Sequence, residues 1–289
     1  MSARGWIRSH RLLAFVCIAF GWTWSWDAIF FVLGWWGTIP VTVPRVWGPA
    51  IAAFVVIWAS EIPLRRWIRR RLDWRVAPVF LMLAVLIPLF ITNVQPVVEA
   101  IGGGSVVFEL PGIRTGSTAP EEIPLIIGLF FVTIFVQTFL LGGTEEIGWR
   151  GVVQPRLQQQ MSVFTAGLVI GVVWWAWHLP LVFTDATGPS LEPAAFIAYT
   201  TFVLGSSTVL GAFVNVTEGK VLPVMLMHGS VNLGAFLSAD GGLLAGSPLI
   251  PILVGSGLWW VIAGLLVARY GLPMTPADRT VRAIDETDL

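Results

Sequence analysis

Eight stretches of this chain are apolar for long enough to cross a hydrocarbon layer, and that repetition limits the fold more than any single residue does. They fall at about 12–33, 46–60, 79–97, 123–143, 162–183, 194–215, 220–238 and 248–269. A helix of ~20 residues, rising 1.5 Å per residue, spans a bilayer core of ~30 Å. Backbone polar groups find no water in lipid, which leaves helices or closed barrels, and continuous apolarity rather than alternation selects helices. The second and third stretches are the least regular, being short or interrupted by proline. The chain is 56% hydrophobic and 12% charged, with a mean hydropathy of +0.80, unlike a soluble domain. The expectation is an all-α, polytopic transmembrane bundle of about eight spans, in which residues 1–289 form one integral membrane domain with no soluble module.

The cations test the topology separately. Of 17 Lys and Arg residues, only Arg45 and Arg114 fall on one side of the eight-span arrangement; Arg4, Arg8, Arg11, Arg65–Arg75, Arg150, Arg156, Lys220, Arg269, Arg279 and Arg282 share the other. The positive-inside tendency makes that side, and both termini, cytoplasmic. The Arg65–Arg75 cluster, with Trp67 and Trp74 among its charges, reads as a topology determinant that would also suit anionic headgroups, and not as a nucleic-acid site. The basic start and apolar run at the N-terminus lack a small-residue cleavage site before Trp22, Trp24 and Trp26, so the expectation is a retained first span. Cys17 is the single cysteine, which excludes an intrachain disulfide. Residues 98–122, rich in glycine, read as an irregular external loop, with shorter external loops at Asp185–Pro193 and Asp240–Pro248. The stretch 271–289 reads as a polar tail.

Against this background, charge at membrane depth needs a reason. Glu145 and Glu146 sit at the edge of the fourth stretch, with Arg150 one helical turn on. Residues four apart share a helix face, so Glu146 and Arg150 can pair while Glu145 points about 100° away. One acid can then be structural and the other free to accept a proton from water. A plain helix-stabilising ion pair is the alternative for Glu146 and Arg150. His178 closes Trp174-Trp175-Ala176-Trp177-His178, with Trp174 one turn before it; an interfacial histidine is the alternative. His228 and Asn232 put an imidazole and an amide on one face, where Asn232 could equally be interhelical glue.

Taken together, Glu145-Glu146-xxx-Arg150, Trp174-xxx-His178 and His228-xxx-Asn232 resemble the three blocks of the CPBP group of intramembrane proteases. That group includes type II CAAX prenyl endopeptidases and bacteriocin-processing or immunity-associated relatives. The resemblance covers roughly residues 123–238. Trp149 and Trp174 stand where the family more often has phenylalanine, which keeps the aromatic character.

The resemblance implies hydrolysis of a peptide bond in or beside the membrane, on a membrane-embedded or prenylated substrate. It implies Glu145 as the group that activates water, His178 as its helper, and His228 with Asn232 as an oxyanion-stabilising pair, supported by Glu146, Arg150 and Trp174. Zinc is left open: Glu145, His178 and His228 would be a possible ligand set, but no His-Glu-x-x-His signature is present, and the metal-free glutamate mechanism is favoured. The implied location is the inner membrane of a prokaryotic cell, with the site opening toward the cytoplasm. A non-enzymatic immunity or scaffold protein and a small-solute transporter are the competing readings. One conflict stands: His178 lies sixteen residues past Ser162, ~24 Å along its helix, whereas Glu145 reads as close to the end of its own.

Overall fold

Helix follows helix, broken where proline and glycine demand it. The computed structural model describes residues 2–35, 39–110, 113–114, 123–183, 191–233, 237–240 and 249–279. In chain order the elements are α1 (Ala3–Ser9), α2 (Arg11–Leu33), α3 (Ile39–Val46), α4 (Gly48–Ala59), α5 (Leu64–Arg71), α6 (Pro78–Ile101), β1 (Ser105–Leu110), β2 (Ile113–Arg114) and α7 (Ile123–Phe139). After a break come a 3-10 turn (Gly142–Glu145), α8 (Glu146–Gly148), a π turn (Trp149–Val153) and α9 (Gln154–Leu157). Then follow α10 (Val163–Trp177), α11 (Pro193–Val216), α12 (Leu222–Asn232), β3 (Leu237–Asp240) and α13 (Leu249–Tyr270).

Six helical stretches are long and apolar enough to cross a membrane: Arg11–Leu33, Pro78–Ile101, Ile123–Leu157, Val163–Phe183, Pro193–Val216 and Leu253–Tyr270. The stretches expected at 46–60 and 220–238 contain shorter helices, α4 of 12 residues and α12 of 11. Proline sets the start of both, at Pro49 and Pro223, where its missing N–H costs nothing. The expected irregular loop at 98–122 also differs. Helix α6 runs through Pro88 and Pro96 to Ile101, and β1 pairs antiparallel with β3, Ser105 opposite Asp240 and Phe108 opposite Leu237. Pairing across 130 residues satisfies backbone groups that composition alone left unassigned. Most of the loops expected at Asp185–Pro193 and Asp240–Pro248, and the tail beyond Arg279, lie outside the described residues.

Helix α11 is the centre of the bundle. Of its apolar window 67% is buried, against 17–33% for the other five long stretches, whose outer faces present residues such as Phe31, Phe90, Phe131 and Leu265. It packs on α10 and α13, while α12 packs on α6 and α7 and α2 packs on α4. Gly167 allows α10 to approach α11 closely, since a Cβ there would lie 2.7 Å from Thr208 Cα. Its start is fixed by Glu192, whose carboxylate accepts from Ala195 N at 2.8 Å.

A polar ladder joins α11 to the stretch 150–158. Arg150 Nη2 donates to Ser207 O and Oγ, Gln154 Nε2 donates to Gly211 O at 2.7 Å, and Gln158 Nε2 donates to Asn215 Oδ1. Steps of four on both helices, in the same direction, make this a parallel pair.

Cationic connections gather at one end. Arg8 pairs with Glu61 at 2.8 Å, Arg71 Nη1 donates to Gly219 O, and Lys220 Nζ donates to Arg75 O. Phe164 N donates to Leu272 O, bringing the segment after α13 to the end where α10 begins. Within α5, Trp67 and Arg71 are buried while Arg65, Arg66, Arg69 and Arg70 are exposed. Cys17 is a free thiol.

Candidate active site

The site begins with an interrupted helix. At Leu141 the backbone leaves helical geometry (φ −114°, ψ −137°), and α7 gives way to the 3-10 turn that carries Glu145. Polar groups freed by the break find partners nearby. Leu140 O accepts the Trp47 indole N–H at 3.1 Å, and Leu141 O accepts from Thr144 N at 3.0 Å and Thr144 Oγ1 at 2.8 Å. A helix can therefore be opened at membrane depth without leaving orphaned backbone. Below Glu145 the chain winds on for twelve residues to Leu157, including the π turn, a local insertion that recurs at functional sites. This resolves the conflict of depths. The stretch 123–157 does not end at the glutamates, so Glu145 lies well inside it and shares Trp174 with His178, the residue that caps the C-terminus of α10.

The two acids have separate partners. Glu145 is 3% exposed, and its Oε2 accepts the indole N–H of Trp174 at 2.7 Å. Glu146, at 0% exposure, accepts at Oε1 from His228 Nδ1 at 2.7 Å and forms an ion pair through Oε2 with Arg150 Nη1 at 3.1 Å. Arg150 is itself held by Ser207, whose hydroxyl donates to Gly167 O at 2.8 Å.

Trp174 is the hub. Its ring centroid lies 5.6 Å from that of His178 and 5.2 Å from that of His228, and the Arg150 guanidinium sits 5.7 Å from it. His178 Nδ1 lies 2.9 Å from Trp174 O, and a carbonyl can only accept, so this nitrogen carries the proton and a neutral ring keeps its lone pair on Nε2. The same argument gives His228 Nδ1 the proton that bonds Glu146. His228 Nε2 and Asn232 Nδ2 both face Gly142: a Cβ there would lie 3.1 Å from the imidazole nitrogen and would overlap the amide. Glycine at this position leaves room for both. Asn232 is exposed and His178 half-buried, whereas Glu145, Glu146 and Arg150 are closed off, so the cluster is reached from the His178 and Asn232 side.

The residues do not form a metal centre in this arrangement. Among the described residues no three of His, Cys, Asp and Glu stand close enough to share an ion, and the Nδ1 atoms and one or both oxygens of each acid are engaged as above. In this arrangement Glu145, His178 and His228 are not drawn together as a three-ligand set.

Two residues of this neighbourhood were not among the site residues expected from sequence, where Arg45 counted only as an external cation. Asp27 of α2 and Arg45 of α3, both buried, form an ion pair at 2.9 Å. The Arg45 guanidinium stacks 4.4 Å from the Trp177 ring, which lies 4.7 Å from His178. An aspartate inside the first apolar stretch was the available signal, by the same reasoning that singled out the glutamates. Beside them runs a largely apolar groove of about 430 Å³, lined by Trp24, Asp27, Phe31, Leu179, Pro180 and Phe183.

With this geometry in hand, the comparisons with known proteins are specific. Residues 126–234 match the family described as type II CAAX prenyl endopeptidase Rce1-like. Over this core the chain is similar to that family. A curated relative, CAAX prenyl protease 2 of Methanococcus maripaludis, is 33% identical over 107 residues, 37% of this chain and 34% of that protein. The match thus spans about a third of the relative's length. All seven site residues named from sequence lie inside the matched stretch 126–234, while Asp27 and Arg45 lie outside it.

Proposed function

We propose that the protein is an intramembrane endopeptidase that hydrolyses a peptide bond of a membrane-associated or lipid-modified substrate with glutamate-activated water. One observation carries the reading: a single indole, Trp174, touches Glu145, His178 and His228. Three motif blocks far apart in sequence meet at one ring, as a shared reaction centre requires.

In this mechanism Glu145, with Oε2 fixed by Trp174, accepts a proton from water as the oxygen attacks the carbonyl carbon. The His178 Nε2 lone pair accepts the water's second hydrogen and orients it. The oxyanion takes a hydrogen bond from Asn232 Nδ2 and, when the ring is doubly protonated, from His228 Nε2. The proton on Glu145 passes to the leaving amine as the C–N bond breaks. Glu146 and Arg150 act through His228, holding its ring. No step is routed through a metal. The apolar groove that starts beside His178 would receive the apolar portion of the substrate. The cationic end of the bundle is read as cytoplasmic, in the inner membrane of a prokaryotic cell, so that the site opens inward.

The test is cleavage of a quenched fluorescent peptide bearing a prenyl group, by protein reconstituted in liposomes, together with comparison of membrane peptides from cells carrying active protein or Glu145→Ala. Wild type should cleave, and Glu145→Ala and His228→Ala at equal expression should not. Cleavage and peptide profiles unchanged by both substitutions would remove the enzyme and leave a scaffold or a transporter.

A further inference from the structure

We propose that a cavity between the N-terminal helices and the end of α9 binds the phosphate-bearing headgroup of an anionic phospholipid. The cavity, about 360 Å³, is lined by Arg8, Arg11, Arg156, Gln159 and Gln160, with Leu12 and Leu13 beside them. It shares no lining residue with the groove beside His178, and the proposed peptidase chemistry uses none of its side chains.

Three features select this ligand. The first is charge: three guanidiniums from three separate elements, α1, α2 and α9, line one cavity whose lining includes no carboxylate. Glu61 pairs with Arg8 through Nη1 and stands outside the lining. Arginine presents a planar fork that matches phosphate oxygens, and basic pockets between spanning helices are a recurrent form of headgroup site. The second is the helix start: α2, 23 residues long, opens at Arg11 with no side chain capping it, so the positive end of its dipole adds to the arginines. The third is amphipathy. Leu13, 53% exposed, lies two residues into α2, where an acyl chain would descend from a bound headgroup, and Gln159 and Gln160 offer neutral donors at the outer rim. The arginines of α5 differ: four are exposed on a short helix and none lines this cavity.

The test uses the full chain, purified in a mild detergent, with lipid retention followed by native mass spectrometry. Dioleoyl phosphatidylglycerol should be retained as a discrete adduct in preference to dioleoyl phosphatidylcholine. Arg11→Gln combined with Arg156→Gln should weaken its binding roughly tenfold or more, since each cation near a headgroup contributes on the order of a kilocalorie. Gln160→Glu, at an exposed position that the fold tolerates, should weaken it several-fold even if the double variant does not fold. Arg65→Gln with Arg69→Gln should leave it unchanged. Equal retention of the two lipids, equal loss in the α5 variant, no effect of Gln160→Glu, or displacement by inorganic phosphate at concentrations matching the lipid would each overturn the proposal, the last by assigning the site to a free anion.

Discussion

Trp174 donates its indole N–H to Glu145 across 29 residues of sequence, and the 2.7 Å bond ties the acid to the helix that carries His178. Phenylalanine at this position would supply the ring without the donor. Trp174→Phe should therefore lower kcat/KM roughly tenfold to a hundredfold, the worth of a hydrogen bond to a charged group, with little change in thermal unfolding. A kinetic series on the reconstituted protein measures this. Unchanged turnover would reduce Trp174 to packing.

Glu146 and Arg150 are both fully buried, so removing one strands the other. Arg150→Met should destabilise the protein by about 3–5 kcal/mol, and adding Glu146→Gln should restore part of that loss. Thermal unfolding of the two single variants and the double variant in one detergent gives the coupling. Activity should stay low in all three, because His228 loses its carboxylate partner or that partner loses its charge.

Gly142→Ala places a methyl group against the Asn232 amide and beside His228 Nε2. Asn232 is exposed and can swing away, so the substitution should spare folding while suppressing turnover by ~10²-fold, comparable to losing an oxyanion donor. Asn232→Ala should behave alike, and the double variant should be no worse than either alone.

Arg45 lies outside the matched core yet stacks on Trp177 next to His178. Asp27→Ala should destabilise by about 3–5 kcal/mol through an uncompensated buried cation, and Asp27→Ala with Arg45→Met should recover most of it. Circular dichroism melts of the two variants test the assignment.

Metal independence has a direct measurement. Cleavage should persist after dialysis against a strong chelator in protein that elemental analysis finds free of zinc. Loss of activity, with recovery on adding zinc, would require the side chains to rearrange into a ligand set.

Much of this was legible in the sequence because the signals are local. Apolar length gave the long helices, and i to i+4 spacing gave both the Glu146–Arg150 pair and the shared face of His228 and Asn232. Two things resisted. The end of the fourth helix could not be read, because the charges of 145–156 look like a membrane boundary when counted by hydropathy, whereas the fold sinks them and satisfies Arg150 and Gln154 against Ser207 and Gly211. The pairing of β1 with β3, and the closeness of Arg45 to His178, depend on contacts over more than a hundred residues that no local period encodes. Asp27 was readable in principle, as the acid within the first apolar stretch.

The wide turn at Trp149–Val153 sets how the glutamates are aimed. It accommodates one residue more than a regular helix would over the same rise, between the acids above and the Gln154 and Gln158 rungs below. Winding the same residues as a regular helix would leave those lower rungs locked to α11, yet would turn Glu145 and Glu146 about 100° around the axis, out of reach of Trp174 and His228. Reactivity here is thus a matter of angular phase, adjusted by a single surplus amino acid.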